Sequence, residues 1–174
     1  MVTPAVMAQN IGKGLLAGLV GTVAMTVSST IEQKVREREA STAPAKAAEK
    51  VLGIEKFESE GAEQRFSTLV HWAYGTGWGA MRGLLRTLGL PPAAATAGHF
   101  AAIWGGAAVM LPALDVAPPI TTWEREEVAI DAWHHAVYAV AAGIAYDLLD
   151  RRGRMPREGQ PACDEEHRYQ EPKA

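Results

Sequence analysis

The chain alternates between long stretches without charge and short stretches crowded with it. No charged residue lies between Gly14 and Ile31, and between Thr87 and Leu114 the only titratable side chain is His99. Charge gathers over 32–65, over 124–127 and beyond Asp147. A helix of a water-soluble bundle carries a polar face along its length. Here whole segments are apolar, or apolar with Gly, Ser and Thr, around their full circumference, as lipid-facing helices are. The pattern predicts an all-α, polytopic membrane protein. Its bundle has four transmembrane helices, over about 11–32, 62–86, 93–114 and 127–149, within a domain of residues 1–152. A polar, proline-containing tail over 153–174 is expected to be disordered.

Local signals refine this outline. Ser41-Thr42-Ala43-Pro44 reads as a helix start and Gly53 as a stop, which predicts a short, solvated helix in the first loop. Gly89-Leu90-Pro91-Pro92 predicts a tight turn, because Pro-Pro does not continue a helix. Pro112, Pro118 and Pro119 mark the exit from the third span, and Trp123 fits an interfacial anchor. Arg82 and Arg86, near the end of the second span, are expected to snorkel to the interface. Gly14-x-x-x-Gly18 places two flat patches on one helix face. Gly14, Gly18, Gly21, Gly75 and Gly79 are therefore expected to serve helix packing within the monomer, with a homo-oligomer seam as the alternative.

Composition sharpens the picture at a few points. The mean hydropathy of −0.06 over 174 residues resembles that of a soluble protein, but it averages two unlike kinds of segment. A chain of this length has too little volume to bury four apolar helices in water. Seventeen glycines, many inside the apolar segments, suit membrane helices, where close backbone approach is favoured. Cys163 is the single cysteine, which excludes an internal disulfide and Cys-based metal sites. A net charge of −3 gives no case for nucleic acid as a partner. The first ten residues lack the Lys/Arg start of a secretory signal, so the first apolar segment is expected to remain as a helix. Four crossings place both termini on one side. The dense group Arg151, Arg152, Arg154 and Arg157 assigns that side to the cytoplasm.

Ionisable groups inside a bilayer are costly, so each needs a reason. The candidates are His71, His99, Asp131, His134 and His135. The predicted topology puts His71, Asp131, His134 and His135 at a similar depth, near the side of the long loop, and His99 far from them. Asp131 lies three and four residues before the two histidines of the fourth span, within reach on a helix. Two His and one carboxylate (His71, Asp131 and His134) could hold a divalent metal or relay a proton. A bis-His haem site would need two histidines facing each other at matched depth. The plainer reading is that these side chains hydrogen-bond between helices and fix their packing. No spacing here matches an established metal signature, so the cofactor stays open. There is no P-loop, G-x-S-x-G, H-E-x-x-H or glycine-rich dinucleotide turn, and no residue is assigned as catalytic.

Three stretches together have a familiar layout: the small-residue segment from Gly14 to Met25, His71-Trp72-Ala73-Tyr74-Gly75-Thr76-Gly77-Trp78-Gly79, and Asp131-Ala132-Trp133-His134-His135. Over residues 11–150 the chain resembles the YagU-like group of bacterial inner-membrane proteins. The resemblance implies a bacterial inner-membrane location and carries over no catalytic residue. The mixed-charge loop and the arginine-rich tail have no counterpart in it.

Three functions fit these features. The glycine faces and Trp72, Trp78, Trp104 and Trp123 suit a structural or accessory subunit of a membrane assembly, with lipid and a protein partner or second copy around it. His71, Asp131, His134 and His135 suit a proton- or metal-coupled transporter or channel. The same four residues suit a membrane metalloenzyme. The expected order of preference is the order given.

Overall fold

The computed structural model describes residues 3–154. It is all-helical: α1 (Pro4–Arg36), α2 (Ala43–Leu52), α3 (Glu60–Thr87), α4 (Pro92–Ala113) and α5 (Arg125–Arg154), with one 3-10 turn at Ile120–Thr122. No strand occurs among the described residues. The expected tail over 153–174 lies outside them, except that Gly153 and Arg154 form the last turn of α5.

Each helix begins and ends for a local reason. Thr3 caps α1 by accepting a hydrogen bond from the Val6 N–H, and Pro4 occupies the first turn, where its missing N–H costs nothing. The helix therefore starts seven residues earlier than its apolar core suggests. It ends where Glu37 turns left-handed (φ 53°). Its 33 residues extend about 50 Å, longer than the ~30 Å hydrocarbon core of a bilayer. Gly53 stops α2 in the left-handed conformation that glycine adopts without strain (φ 67°). Ser59 caps α3, and Glu60 and Glu63 sit in its first turn, where the helix dipole favours negative charge.

Three helices, α1, α4 and α5, are long and apolar enough to cross a membrane. The sequence reading expected four. α3 falls short because His71, Arg82, Arg86 and a run of Ser, Thr and Gly dilute its apolar content.

α1 forms the spine. It packs along both α3 and α5, while α4 leans on α5 and more lightly on α3. At one end Lys13 pairs with Asp150 at 3.0 Å, and Asn10 donates to the Thr87 hydroxyl at 3.1 Å. At the other end Ser28 meets His134, and Arg36 meets Glu127 at 3.0 Å. α1 is thus antiparallel to α3 and to α5, which puts the start of α1 and the end of α5 side by side.

Glycines set the distance between α1 and α3. A Cβ on Gly14 would run into the Gly79 carbonyl, and one on Gly83 into the Asn10 carbonyl. At Gly18 it would lie 2.6 Å from the Thr76 carbonyl oxygen and 2.8 Å from the Gly79 Cα. Gly75 accommodates the Thr22 side chain, and Gly21 the Tyr138 ring. The small-residue faces are occupied inside one chain.

Arg82 departs from expectation. Its side chain does not snorkel but is fully buried, with Nη2 2.8 Å from Asp147 Oδ1 and its guanidinium 4.7 Å from the centre of the Tyr146 ring. Gly79 and Gly83 leave α3 so close to α1 that the arginine stem is enclosed, and α5 brings the counter-charge to it.

Candidate functional site

α3 and α4 leave the Pro91-Pro92 turn as neighbours. Leu85 lies against Gly98, and the His99 Nε2 donates to the Trp78 carbonyl at 2.9 Å. The Trp78 indole then lies against Gly106, where an added Cβ would stand 3.5 Å from it. Beyond that contact, towards the α1–α3 connection, the helices bracket a cavity of about 720 Å³. α2 and the 118–123 segment border it as well.

Two kinds of side chain line it. α1 contributes Thr22, Thr26, Ser29, Thr30 and Gln33, spaced three or four residues apart and hence on one face. α3 adds His71, and α5 adds Asp131, His134, His135 and Tyr138. Aliphatic side chains line it as well: Ile103, Ala107 and Leu111 of α4, with Ala47, Ala48 and Val51 of α2 among others.

The four residues expected to act together all line this cavity, but each is tethered to a different partner. His71 Nε2 lies 2.9 Å from the Thr26 hydroxyl. That hydroxyl already donates to the Thr22 carbonyl, so His71 is the donor and its Nε2 carries the proton. Asp131 Oδ2 accepts from the Trp104 indole at 2.9 Å. His135 Nδ1 donates to the backbone carbonyl of Asp131 at 2.8 Å and lies 3.6 Å from its carboxylate. His134 Nδ1 meets the Ser28 hydroxyl at 2.9 Å. Among the described residues, no three His, Cys, Asp or Glu side chains group in a way that could hold a metal ion. His99 lies apart, fully buried, with its ring edge-on to Tyr138.

Three residues beside the cavity were not singled out from the sequence. Glu32 receives a two-pronged contact from Arg38, whose Nε lies 2.8 Å and 3.0 Å from the two carboxylate oxygens. That hydrogen bond raises the Arg38 pKa above its ordinary value. Ser28, on the same face as Glu32, reaches His134 from α1. The only signal for them was the polar end of the first span, which read equally well as a helix leaving the hydrocarbon.

Ser28, His134 and Glu32 stand in the order hydroxyl, imidazole, carboxylate. That order is shared with nucleophilic triads, yet the geometry is not. Glu32 Oε2 is 3.7 Å from His134 Nε2, beyond hydrogen-bond reach, and is held by Arg38. Ser28 is absent from the cavity wall, so its hydroxyl has no substrate space before it. The trio ties α1 to α5.

The charged groups at the other end form a separate network. Asp150 bridges Lys13 (3.0 Å) and Arg86 (3.6 Å), one helical turn from the Arg82–Asp147 pair. No protein-family model, curated protein or solved structure matches the chain.

Proposed function

We propose that the chain is a four-span protein of a bacterial inner membrane, and that its cavity receives a small, largely apolar molecule from the bilayer. The observation that carries this reading is a cavity of about 720 Å³ lined by both polar and aliphatic side chains. That size lies within the ~300–1,000 Å³ typical of ligand pockets, which are largely apolar with a few placed polar groups.

The fourth crossing is supported by contact rather than by hydropathy. Residues 71–87 of α3 run beside residues 10–26 of α1, from the His71–Thr26 contact to the Asn10–Thr87 contact. Seventeen residues of helix cover about 25 Å, most of a hydrocarbon core. If α1 crosses, α3 crosses with it. The buried Arg82 is tolerable there because Asp147 neutralises it. The bacterial setting rests on the resemblance to the YagU-like group, and the cytoplasmic side on the arginines from Arg151 onward.

A metal-centred activity has less support, because the candidate ligands are engaged with separate partners. An accessory role is favoured by the exposed apolar faces, which include Leu16, Ile31, Trp133 and Ile144. Lipid covers such faces equally well. The glycine seam, which would have supplied a docking surface, is used between α1 and α3.

Native mass spectrometry of the protein released from nanodiscs tests the binding role. The expected result is a retained adduct of defined mass on the wild type that disappears in Ala107→Phe, where a ring fills the aliphatic wall. An adduct-free wild type would remove the proposal.

A further inference from the structure

We infer that the occupant of this cavity is a hydrophobic organic cation, one positive charge carried on an apolar body. The inference rests on the binding role proposed above and adds the chemical class.

The charge on the cavity lining does not cancel. Among the described residues, Arg38 and Asp131 are the only Asp, Glu, Lys or Arg that line it. Arg38 is matched. Its Nε lies 2.8 Å and 3.0 Å from the two Glu32 carboxylate oxygens, and its Nη2 lies 2.7 Å from one of them. Asp131 is not matched. Its Oδ2 accepts from the Trp104 indole at 2.9 Å, but a neutral donor leaves the carboxylate charge in place. The His135 Nδ1 stands 3.6 Å from that carboxylate and donates instead to the Asp131 backbone carbonyl. Among the described residues no lysine or arginine pairs with Asp131, and its side chain is 35% exposed, so a partner has room to reach it. An ionised group at membrane depth is costly until something neutralises it.

The surroundings have the same sign. Residues 32–65 and 115–131, which form this end of the molecule, hold eight Lys or Arg against thirteen Asp or Glu. That excess of negative charge draws cations towards the cavity and repels anions.

The rest of the lining suits an organic cation rather than a metal ion. Trp72, Tyr74, Trp78, Trp123 and Tyr138 line the cavity, and aromatic rings attract a cation held over their faces. A metal ion needs several ligating atoms at once, and among the described residues no three His, Cys, Asp or Glu side chains group to supply them. Aliphatic side chains such as Ala107 and Leu111 offer contact to the apolar body. One unmatched carboxylate sets one positive charge.

The test is equilibrium dialysis of the full chain in phosphatidylcholine nanodiscs. It uses alkaline buffer, where imidazole side chains are ordinarily neutral. Three probes share an aryl body and differ in charge: tetraphenylphosphonium, tetraphenylborate and the uncharged triphenylphosphine oxide. Empty nanodiscs give the partitioning background of each. The expected result is saturable uptake of tetraphenylphosphonium, with half-saturation at least about tenfold below either other probe. Asp131→Asn keeps an acceptor for the Trp104 indole and removes the charge, so it is expected to raise that half-saturation about tenfold. The wild-type ranking of the probes decides the class whether or not this variant folds. Ala107→Phe and, from α2, Ala48→Phe are expected to abolish the saturable part. Saturable uptake of tetraphenylborate or the phosphine oxide at equal or lower concentration, lost in those two variants, would overturn the cationic class and leave the binding role in place. An unchanged preference for tetraphenylphosphonium in folded Asp131→Asn would overturn the assignment to Asp131. Uptake that never saturates with any probe, or that is unchanged in both phenylalanine variants, would overturn the class and the binding role together.

Discussion

At the scale of single residues, the largest energies sit where charge is enclosed. Arg82 is fully buried, and its Nε and Nη1 have no hydrogen-bond partner. Among the described residues, Asp147 and the face of Tyr146 compensate its charge. Removing one member of a buried pair leaves the other uncompensated and costs roughly 3–5 kcal/mol. Asp147 is about a quarter exposed (27%), so Asp147→Asn is expected to cost about 3 kcal/mol, the lower end of that range. The paired change Arg82→Met with Asp147→Leu should recover most of the loss, since apolar isosteres of a buried pair are often neutral or stabilising. Reversible unfolding in bicelles measures both. Equal stability of wild type and Asp147→Asn would mean that water or lipid headgroups solvate Arg82. The His134–Ser28 contact belongs to a weaker class. Interhelix hydrogen bonds in bilayers contribute about 0.6 kcal/mol on average, so Ser28→Ala is expected to cost under about 1 kcal/mol in the same assay.

At the scale of helices, the sequence was informative where the physics is local and silent where it is not. The runs without charge, the Pro-Pro turn and the Pro44/Gly53 punctuation located all five helices. Their ends were missed by a few residues because capping overrode hydropathy: Thr3 and Pro4 extend α1 backwards, and α5 runs on to Arg154. His71, Asp131, His134 and His135 could be assigned to one depth from topology, since depth follows from residue count. Their partners could not, because Thr26, Trp104 and Ser28 meet them only after three helices choose their rotations. The glycine seam allows a controlled prediction on this point. Leu at Gly18 or Gly79 must displace backbone rather than side chain, so each is expected to cost at least about 3 kcal/mol, the upper end for overpacking. Leu at Gly12 or Gly77, where a Cβ meets nothing within 4 Å, should be silent. If all four variants unfold alike in mild detergent, the seam is not what holds α1 to α3.

At the scale of the whole molecule, one geometric relation governs topology. α3 contacts α1 from its His71 level to its last turn, and α5 contacts α1 from Arg36–Glu127 to Lys13–Asp150. On the proposed four-span reading, these contacts carry α3 across with α1, although α3 alone is too polar for an apolar span. The ion pairs also affect orientation. Lys13, Arg82 and Arg86 all face Asp147 or Asp150 once folded, but orientation is set during insertion, where Lys and Arg count and carboxylates contribute little. The side holding the chain's start and the end of α5 is therefore expected to be cytoplasmic. A reporter that fluoresces only in the cytoplasm should be bright when fused after residue 174 and dark when inserted at Lys56. A reporter of the opposite compartment should give the reverse. Replacing Arg151, Arg152, Arg154 and Arg157 with Gln removes the densest group of positive charge, and a mixed signal from both reporters is then expected. Bright cytoplasmic signal at both positions in the unaltered chain would mean that α1 and α3 do not cross as a pair, and the cavity between them would then open to water rather than to lipid.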